Sequence, residues 1–419
     1  MDARDAARDG SRRGSSLMAR GVIDLDRLPG RERMLNPPRQ RGRRREESLF
    51  RDRAPAAWKH VDLVLLATAG AVSVLGAMMV LSSTRGTDPD VYDLSFLRKQ
   101  VLFIVIGVIG MVLVTLVDYQ RLRDTAWLPY LSVMVLLALV VSSLGSERRG
   151  SQAWFQIGAF QLQPAELAKV VVILAVAAVL SAADVPLRLR RVGVALALVA
   201  LPTGLILLQP DLGTALVFIA ITMGMLLIAG ARARHIVILT AAGVIGVVGV
   251  LTSDVLEDYQ RDRLTVFLDA DGHDVQAEAY NADQSKAAIA SGRVPGKGFL
   301  EGTQTRLGFV PEQHTDFIFP AVGEALGFVG SVTVLGLLAR MCTRVWRTAQ
   351  IARDRLGMLI CVGVLAMLVF QIFQNVGMAV GIMPITGITL PFMSYGGSSV
   401  IASWLALGLV LNVHMRRFG

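Results

Sequence analysis

Apolar residues occur along this chain in ten long runs that are separated by shorter polar segments. Runs of about 18 or more apolar residues are long enough to cross a bilayer as helices. The runs lie at about 61–83, 97–117, 126–145, 165–183, 192–209, 212–229, 235–253, 317–340, 356–381 and 391–413. The pattern predicts an all-α polytopic membrane protein with about ten transmembrane helices, forming a membrane domain over residues 59–419.

Composition and charge agree with a membrane protein and argue against a nucleic-acid-binding one. The chain is 53% hydrophobic and has a formal net charge of +9. Residues 1–60 hold 16 Lys and Arg against 9 Asp and Glu, whereas the rest of the chain is nearly balanced. We therefore interpret residues 1–58, which include "RQRGRRREE", as a disordered basic tail. The tail serves as a topology signal or rests on anionic lipid.

The polar segments between the runs differ in charge on the two sides of the predicted bundle. On the side of the tail they read "YQRLRDT", "PLRLRR", "ARARH", five arginines between 340 and 355, and "HMRRFG". The positive-inside rule places this side, and both termini, in the cytoplasm of a multi-pass plasma-membrane protein. The opposite side receives one long loop, 254–316, with 12 acidic and 6 basic residues. Its helix-like and glycine-punctuated segments predict a large structured external loop between helices 7 and 8.

Two charged motifs stand at the external boundary of predicted spans. "QLQPAELAKVV" places Glu166 and Lys169 on one helix face, close to the preceding Trp154. They form either an internal ion pair or a charged patch at the top of the bundle. "LLQPDLGTALV" places Asp211 where a carboxylate caps a helix, and the alternative is a role in a polar site.

Two further motifs combine titratable or hydroxyl groups with the start of a span. In "PEQHTDFIFP", Thr315 or Asp316 is a candidate cap, and His314 with Asp316 forms a pair that can handle protons near neutral pH. In "SYGGSS", Ser394 and Tyr395 offer hydroxyls near the external end, while the glycines and serines favour close helix packing.

Six motifs in order resemble the SEDS family (shape, elongation, division and sporulation). They are "QPAELAK", "QPDLGT", "QSKAAIASG", "GKGFLEGTQ", "PEQHTDFIF" and "SYGGSS", and the resemblance covers about 58–415. The long loop, with its "GTQ" element, is more similar to the elongation branch of the family than to the septal branch. The basic residue that often precedes the tryptophan in this family is replaced by Ala153.

The resemblance implies a peptidoglycan glycosyltransferase that polymerises lipid II on the outer face of the membrane. It implies a class B penicillin-binding protein, the transpeptidase, and other elongation-complex membrane proteins as partners. It also implies an essential role for Asp316, central-cavity roles for Glu166, Lys169 and Asp211, and a divalent cation, Mg²⁺ or Mn²⁺, at an unassigned site.

The expected reaction is an inverting displacement in which Asp316 is the general base and a polyprenyl diphosphate leaves. We expect His314, Thr315, Ser394, Tyr395 and Trp154 to line the substrate site. Positive charge must meet the departing diphosphate. The external candidates for this task are Lys169, Arg261, Arg263, Lys286, Lys297 and Arg306.

Three other functions are compatible with the same residues. A flippase or transporter of lipid-linked sugar would use Glu166, Lys169, Asp211 and Asp316 as a proton or ion relay. A septal polymerase would perform the same chemistry during division. A scaffold protein of the elongation complex needs no polar residues inside the bundle.

Overall fold

The computed structural model describes residues 60–84, 94–148, 151–158, 160–252, 276–307 and 312–418. Its helices are α1 Leu63–Ser83, α2 Ser95–Leu116, α3 Tyr119–Asp124, α4 Trp127–Val141, α5 Pro164–Ser181, α6 Leu189–Leu207, α7 Leu212–Ile228, α8 Ala233–Thr252, α9 Gln276–Gly292, α10 Thr303–Arg306, α11 Ile318–Gln350, α12 Arg355–Val380 and α13 Gly397–Met415. Three short strands, β1 Ser146–Arg148, β2 Ser151–Ile157 and β3 Phe160–Leu162, form an antiparallel sheet between α4 and α5.

The helices confirm the predicted class of polytopic all-α membrane protein. Within the described residues, seven helices are long and apolar enough to cross a membrane, namely α1, α2, α5, α6, α11, α12 and α13. The other three predicted segments form the shorter apolar helices α4 and α7 and the apolar stretch Ala233–Gly243 at the start of α8. Among the helix-like segments predicted in the long loop, the one that reads "AYNADQSKAAIASGRV" contributes to α9. The predicted tail and the first part of the long loop, residues 253–275, lie outside the described residues.

Helices α5 and α13 occupy the interior of the bundle, and α2 and α6 are largely exposed on their outer faces. Small residues along α13 let its neighbours approach closely, as is typical of helix packing in lipid. Gly408 of α13 lies against the backbone of α2, where a Cβ atom would come 3.0 Å from Met111 Cα. The exposed apolar side chains of α2 and α6 are suited to contact with lipid tails.

Arginine side chains tie several helix ends together at one end of the bundle, called here the basic end. Arg344 near the end of α11 donates two hydrogen bonds to Asp62, at 2.7 and 2.9 Å, and Asp62 caps the start of α1. The guanidinium of Arg355 donates to the carbonyls of Ala183 and Ala229, which follow α5 and α7. The basic segments predicted to share one side therefore do meet at one end.

Helix α11 is broken, which differs from the continuous span predicted at 317–340. At Gly327 the backbone has φ 67° and ψ −161°, a conformation that is essentially restricted to glycine. Residues 318–326 and 328–350 are thus separate helical segments. The apolar pattern alone conceals the break, because glycine is common inside transmembrane helices.

The segment between α9 and α10 supplies hydrogen-bond partners to the broken backbone. Phe328 N–H donates to the Arg293 carbonyl at 2.9 Å, and Lys297 N–H donates to the Glu324 carbonyl at 3.0 Å. Gly298 N–H donates to the Ala325 carbonyl at 3.0 Å. Unpaired backbone groups are costly in a bilayer, so irregular backbone persists there only where protein surrounds it. The insertion of this segment satisfies that requirement.

Arg344→Ala should destabilise the folded protein by about 3–5 kcal/mol, because it leaves the buried Asp62 carboxylate unpaired. The measurement is the midpoint of thermal unfolding in detergent micelles. Arg340→Ala is the matched control, since Arg340 lies on the same helix and is exposed. Equal midpoints for the two variants would contradict the importance of the ion pair.

Gly327→Ala should prevent the α11 break from forming normally. A Cβ atom at this position would lie 2.3 Å from the Gly296 nitrogen and 2.5 Å from the Val294 carbonyl oxygen. We expect a lower unfolding midpoint and faster proteolysis of the segment between α9 and α10. Gly336→Ala, at a helical glycine with no heavy atom within 4 Å of the added Cβ, should behave like the wild type. Tolerance of Gly327→Ala would show that the break does not require glycine.

Candidate active site

Asp316 is half-buried at the end of the bundle opposite the basic end, two residues before α11. Its backbone carbonyl accepts a 2.8 Å hydrogen bond from the side-chain amide of Asn375, which also donates to the Ile388 carbonyl at 2.7 Å. The cap position of α11 is occupied by the buried Phe317. The alternative in which Thr315 or Asp316 caps this helix is therefore wrong.

The connection between α12 and α13 passes beside the Asp316 carboxylate. Gly387 has a left-handed φ of 70°, and a Cβ atom there would lie 3.4 Å from Asp316 Oδ2. The preceding residue, Thr386, lies over the start of α7, where its carbonyl oxygen would be 2.5 Å from a Cβ on Gly213. Residues 386–387 therefore lie beside both the Asp316 carboxylate and the start of α7, which Asp211 caps. Asp316 and Asp211 are thus at the same end of the bundle.

Asp211 caps α7, which confirms the capping interpretation. Its carboxylate accepts from Thr214 N–H at 2.9 Å, from the Thr214 hydroxyl at 2.8 Å and from the Gln163 amide at 3.2 Å. Burial raises the pKa of Asp211 above its usual range, the Thr214 bonds lower it, and the nearby charges of Glu166 and Lys169 act in opposite directions. A part in substrate binding remains a prediction for Asp211.

Glu166 and Lys169 form a buried ion pair in the first two turns of α5. Lys169 Nζ lies 2.8 Å from Glu166 Oε1, and the two side chains are 2% and 9% exposed. This geometry confirms the internal ion pair that the i, i+3 spacing predicts. The pair also contributes to the electrostatic field at Asp211, so the polar groups of α5 and α7 form one cluster.

Trp154 lies on β2, in a small sheet that the sequence analysis did not predict. It pairs with Ser146 of β1, whose hydroxyl donates to the Trp154 carbonyl at 2.9 Å. The Ser151 hydroxyl donates to the Gln209 carbonyl at 2.6 Å, which links the sheet to the turn before Asp211. The half-buried indole of Trp154 is thus carried by the segment that leads directly into α5.

His314 and Tyr395 belong to one aromatic cluster. The His314 ring lies 5.5 Å from the Tyr395 ring and 5.1 Å from the Phe96 ring, measured between centroids. Tyr395 N–H donates to the His314 carbonyl at 2.8 Å. The "HTDFIF" and "SYGGSS" motifs therefore meet, although they are about 80 residues apart.

The hydroxyls of Thr315 and Ser394 take part in local turns. The Thr315 hydroxyl donates to Glu312 Oε2 at 3.0 Å. Ser394 is buried, and its hydroxyl accepts from Leu390 N–H at 2.8 Å. Both contacts stabilise the segments that carry the motifs, and substrate contacts by these hydroxyls remain predictions.

The predicted external cations occupy different surroundings. Lys286 of α9 is half-exposed, pairs with Asp283 at 3.3 Å and packs against Gly381 at the end of α12. Lys297 lies 2.7 Å from the carboxylate of Glu324. Arg306 ends α10, and Arg261 and Arg263 lie outside the described residues.

Glu324 and Asn375 are among the buried polar residues at this end that the sequence pattern did not reveal. Glu324, in "GEALG", is fully buried in the first segment of α11, and Asn375, in "IFQN", is fully buried near the end of α12. Ionisable and amide side chains inside apolar runs are rare and usually have a partner or a function. This rarity marks both residues as candidates in the sequence. It does not identify their partners, because those are distant in the chain.

A family model described as "Cell cycle protein", for FtsW, RodA and SpoVE, matches residues 62–418. The chain is 34% identical to the peptidoglycan glycosyltransferase MrdB of Escherichia coli K12, a match that spans 85% of this chain and 94% of MrdB. It is also 34% identical to the probable peptidoglycan glycosyltransferase FtsW of Geobacter metallireducens, over 85% of this chain and 96% of that protein.

Solved structures agree with the sequence relatives. One is a chain of a peptidoglycan synthase complex that coordinates polymerisation and crosslinking, with a TM-score of 0.73, 32% identity, and coverage of 85% of this chain and 98% of the other. Another is the rod shape determining protein RodA of Thermus thermophilus, with a TM-score of 0.65, 31% identity, and coverage of 86% and 99%. The chain therefore belongs to the FtsW/RodA/SpoVE family, also called SEDS, and is a membrane-embedded glycosyltransferase.

Proposed function

We propose that this protein polymerises lipid II into peptidoglycan glycan strands during cell elongation, with Asp316 as the general base. The observation that carries the proposal is the position of Asp316 at the end of the bundle opposite the basic end. There its backbone carbonyl accepts from Asn375, and a Cβ atom on Gly387 would lie 3.4 Å from its Oδ2. A half-buried carboxylate at this end of the bundle is suited to accept a proton from a sugar hydroxyl.

The reaction is a single displacement at the anomeric carbon of the growing strand. The 4-hydroxyl of the incoming lipid II attacks this carbon, its proton passes to the Asp316 carboxylate, and the bond from the carbon to the diphosphate oxygen breaks. The electrons of that bond leave with the polyprenyl diphosphate. One displacement converts an α-linked diphosphate into a β-linked glycan, so no covalent sugar–enzyme intermediate is needed.

Positive charge near the departing diphosphate would come from loop residues with accessible cationic groups. Lys169 and Lys297 are each paired with a buried carboxylate, whereas Lys286 is half-exposed. This contrast favours Lys286 over Lys169 and Lys297 as a diphosphate-binding candidate. Arg261, Arg263 and Arg306 stay candidates from the sequence alone. Trp154 and the hydroxyl of Tyr395 complete the proposed substrate site.

The divalent cation that the family resemblance implies stays a prediction without an assigned site. Among the described residues, no three His, Cys, Asp or Glu side chains are grouped in a way that could hold a metal ion. We therefore assign no catalytic step to Mg²⁺ or Mn²⁺.

The proposed partner is a class B penicillin-binding protein, which would crosslink the strands that this protein makes. The similarity to a chain of a synthase complex that couples polymerisation to crosslinking supports this partner. The "GTQ" element of the loop supports the elongation role over the septal one. The basic segments support a plasma-membrane orientation with cytoplasmic termini and an external active site.

Asp316→Asn should lower the rate of glycan polymerisation about 10²–10⁴-fold, because the amide cannot accept the acceptor's proton. The assay supplies fluorescent lipid II to the purified protein, with and without its transpeptidase, and separates the polymers by gel electrophoresis. Asp184→Asn, an exposed carboxylate after α5, should retain the wild-type rate. Polymerisation by Asp316→Asn at the wild-type rate would refute the general-base role. Translocation of lipid II across vesicles without polymer would instead support a flippase.

The Glu166–Lys169 pair should show separate effects on stability and on rate. Lys169→Met alone should lower the unfolding midpoint strongly, since it leaves Glu166 buried and unpaired. Adding Glu166→Gln should restore most of the midpoint. If the pair also acts on the substrate, the double variant should still polymerise about 10²-fold more slowly than the wild type. A wild-type rate in the double variant would restrict the pair to folding.

A further inference from the structure

Glu324, in the first segment of α11, has an extensively hydrogen-bonded carboxylate. Its Oε1 accepts from Lys297 Nζ at 2.7 Å and from Gln304 N–H at 2.8 Å. Its Oε2 accepts from the N–H and the hydroxyl of Thr305, at 2.9 and 2.8 Å. The carboxylate is fully buried. These contacts bind the α10 turn to the first segment of α11, and the positive charge of Lys297 compensates the buried negative charge.

The α10 turn is also hydrogen-bonded to the segment that carries Asp316. The Gln313 side-chain amide donates to the Thr305 carbonyl at 2.7 Å and to the Ser83 carbonyl at 2.5 Å. Gln313 precedes Asp316 by three residues, and Glu324 follows Asp316 by eight. Both the residues before Asp316, through Gln313, and the residues after it, through Glu324, are therefore hydrogen-bonded to α10.

Glu324 is too distant along the helix to act on the substrate in place of Asp316. The helix begins at Ile318, and the six-residue rise from there to Glu324 corresponds to about 9 Å. Lys297, in addition, has its ammonium engaged by Glu324 and its N–H engaged by the Glu324 carbonyl. This arrangement indicates a structural use for Lys297 and differs from the diphosphate contact that the sequence analysis predicts.

We propose that Glu324 and Lys297 form a clamp that positions the Asp316 segment for catalysis. The clamp comprises the Glu324 carboxylate, the Lys297 ammonium and the α10 turn. The clamp holds the geometry in which Asp316 meets the acceptor hydroxyl, and Lys297 does not bind the diphosphate. This inference rests on the proposed polymerase function.

The test measures the polymerisation rate and lipid II binding separately for Glu324→Gln, Lys297→Met and the double variant. A clamp predicts that kcat falls about 10²-fold in each single variant, because small displacements of a catalytic group are costly, while the affinity for lipid II stays unchanged. The double variant should be no slower than the slower single variant, since both changes remove the same contact. Lys297→Arg should retain most of the wild-type polymerisation rate, because arginine can also pair with Glu324.

Glu301→Gln is the matched control, because Glu301 is an exposed carboxylate just before the same turn. It should retain the wild-type kcat. If Lys297→Met weakened lipid II binding and Glu324→Gln did not lower kcat, Lys297 would be a diphosphate ligand and the clamp would be wrong. Additive losses in the double variant would also overturn it.

Hydrogen–deuterium exchange provides a readout that does not depend on turnover. In Glu324→Gln, the amides of Gln304 and Thr305 should exchange faster than in the wild type, because both donate to the Glu324 carboxylate. Unchanged exchange would overturn the clamp even if the wild-type protein made no polymer. Absence of polymer with wild type, together with faster exchange in the variant, would instead refute the proposed function alone.

Discussion

The absence of water inside a bilayer is the constraint on which this structure depends. Every backbone N–H and carbonyl group that leaves a regular helix there must find a partner in the protein. The break in α11 meets this requirement because the segment after α9 inserts its own N–H and carbonyl groups at Gly327. Residues 293–298 of the loop are consequently packed into the bundle beside the helix that follows Asp316.

The same constraint explains how charges are distributed. The described buried carboxylates lie beside cations or helix N-termini, as Glu166 does with Lys169, Glu324 with Lys297 and Asp62 with Arg344. Partners of this kind offset part of the desolvation cost of a buried charge. Pairing also limits which lysines can bind an anionic substrate, so counting cations near a membrane boundary overestimates the available positive charge.

The sequence predicts features that depend on local pattern and misses those that depend on distant contacts. The transmembrane segments, the Asp211 cap and the Glu166–Lys169 pair follow from apolar length and short spacings. The partners of Asn375 are backbone carbonyls as far as 59 residues away in the chain, which no local pattern indicates. The sheet around Trp154 was missed because its alternation covers few residues. The cap of α11 was wrongly predicted because a buried phenylalanine takes the position expected for a polar side chain.

The glycine break divides α11 into a short segment of about 13 Å next to Asp316 and a long one that reaches the basic end. A transmembrane helix adjusts to bilayers of different thickness by tilting. The two segments are not independent, because Phe328 N–H of the long one donates to the Arg293 carbonyl and the Glu324 carbonyl of the short one accepts from Lys297 N–H. A tilt imposed by bilayer thickness would therefore reach the Asp316 end through the stretch 293–298 as well as through Gly327.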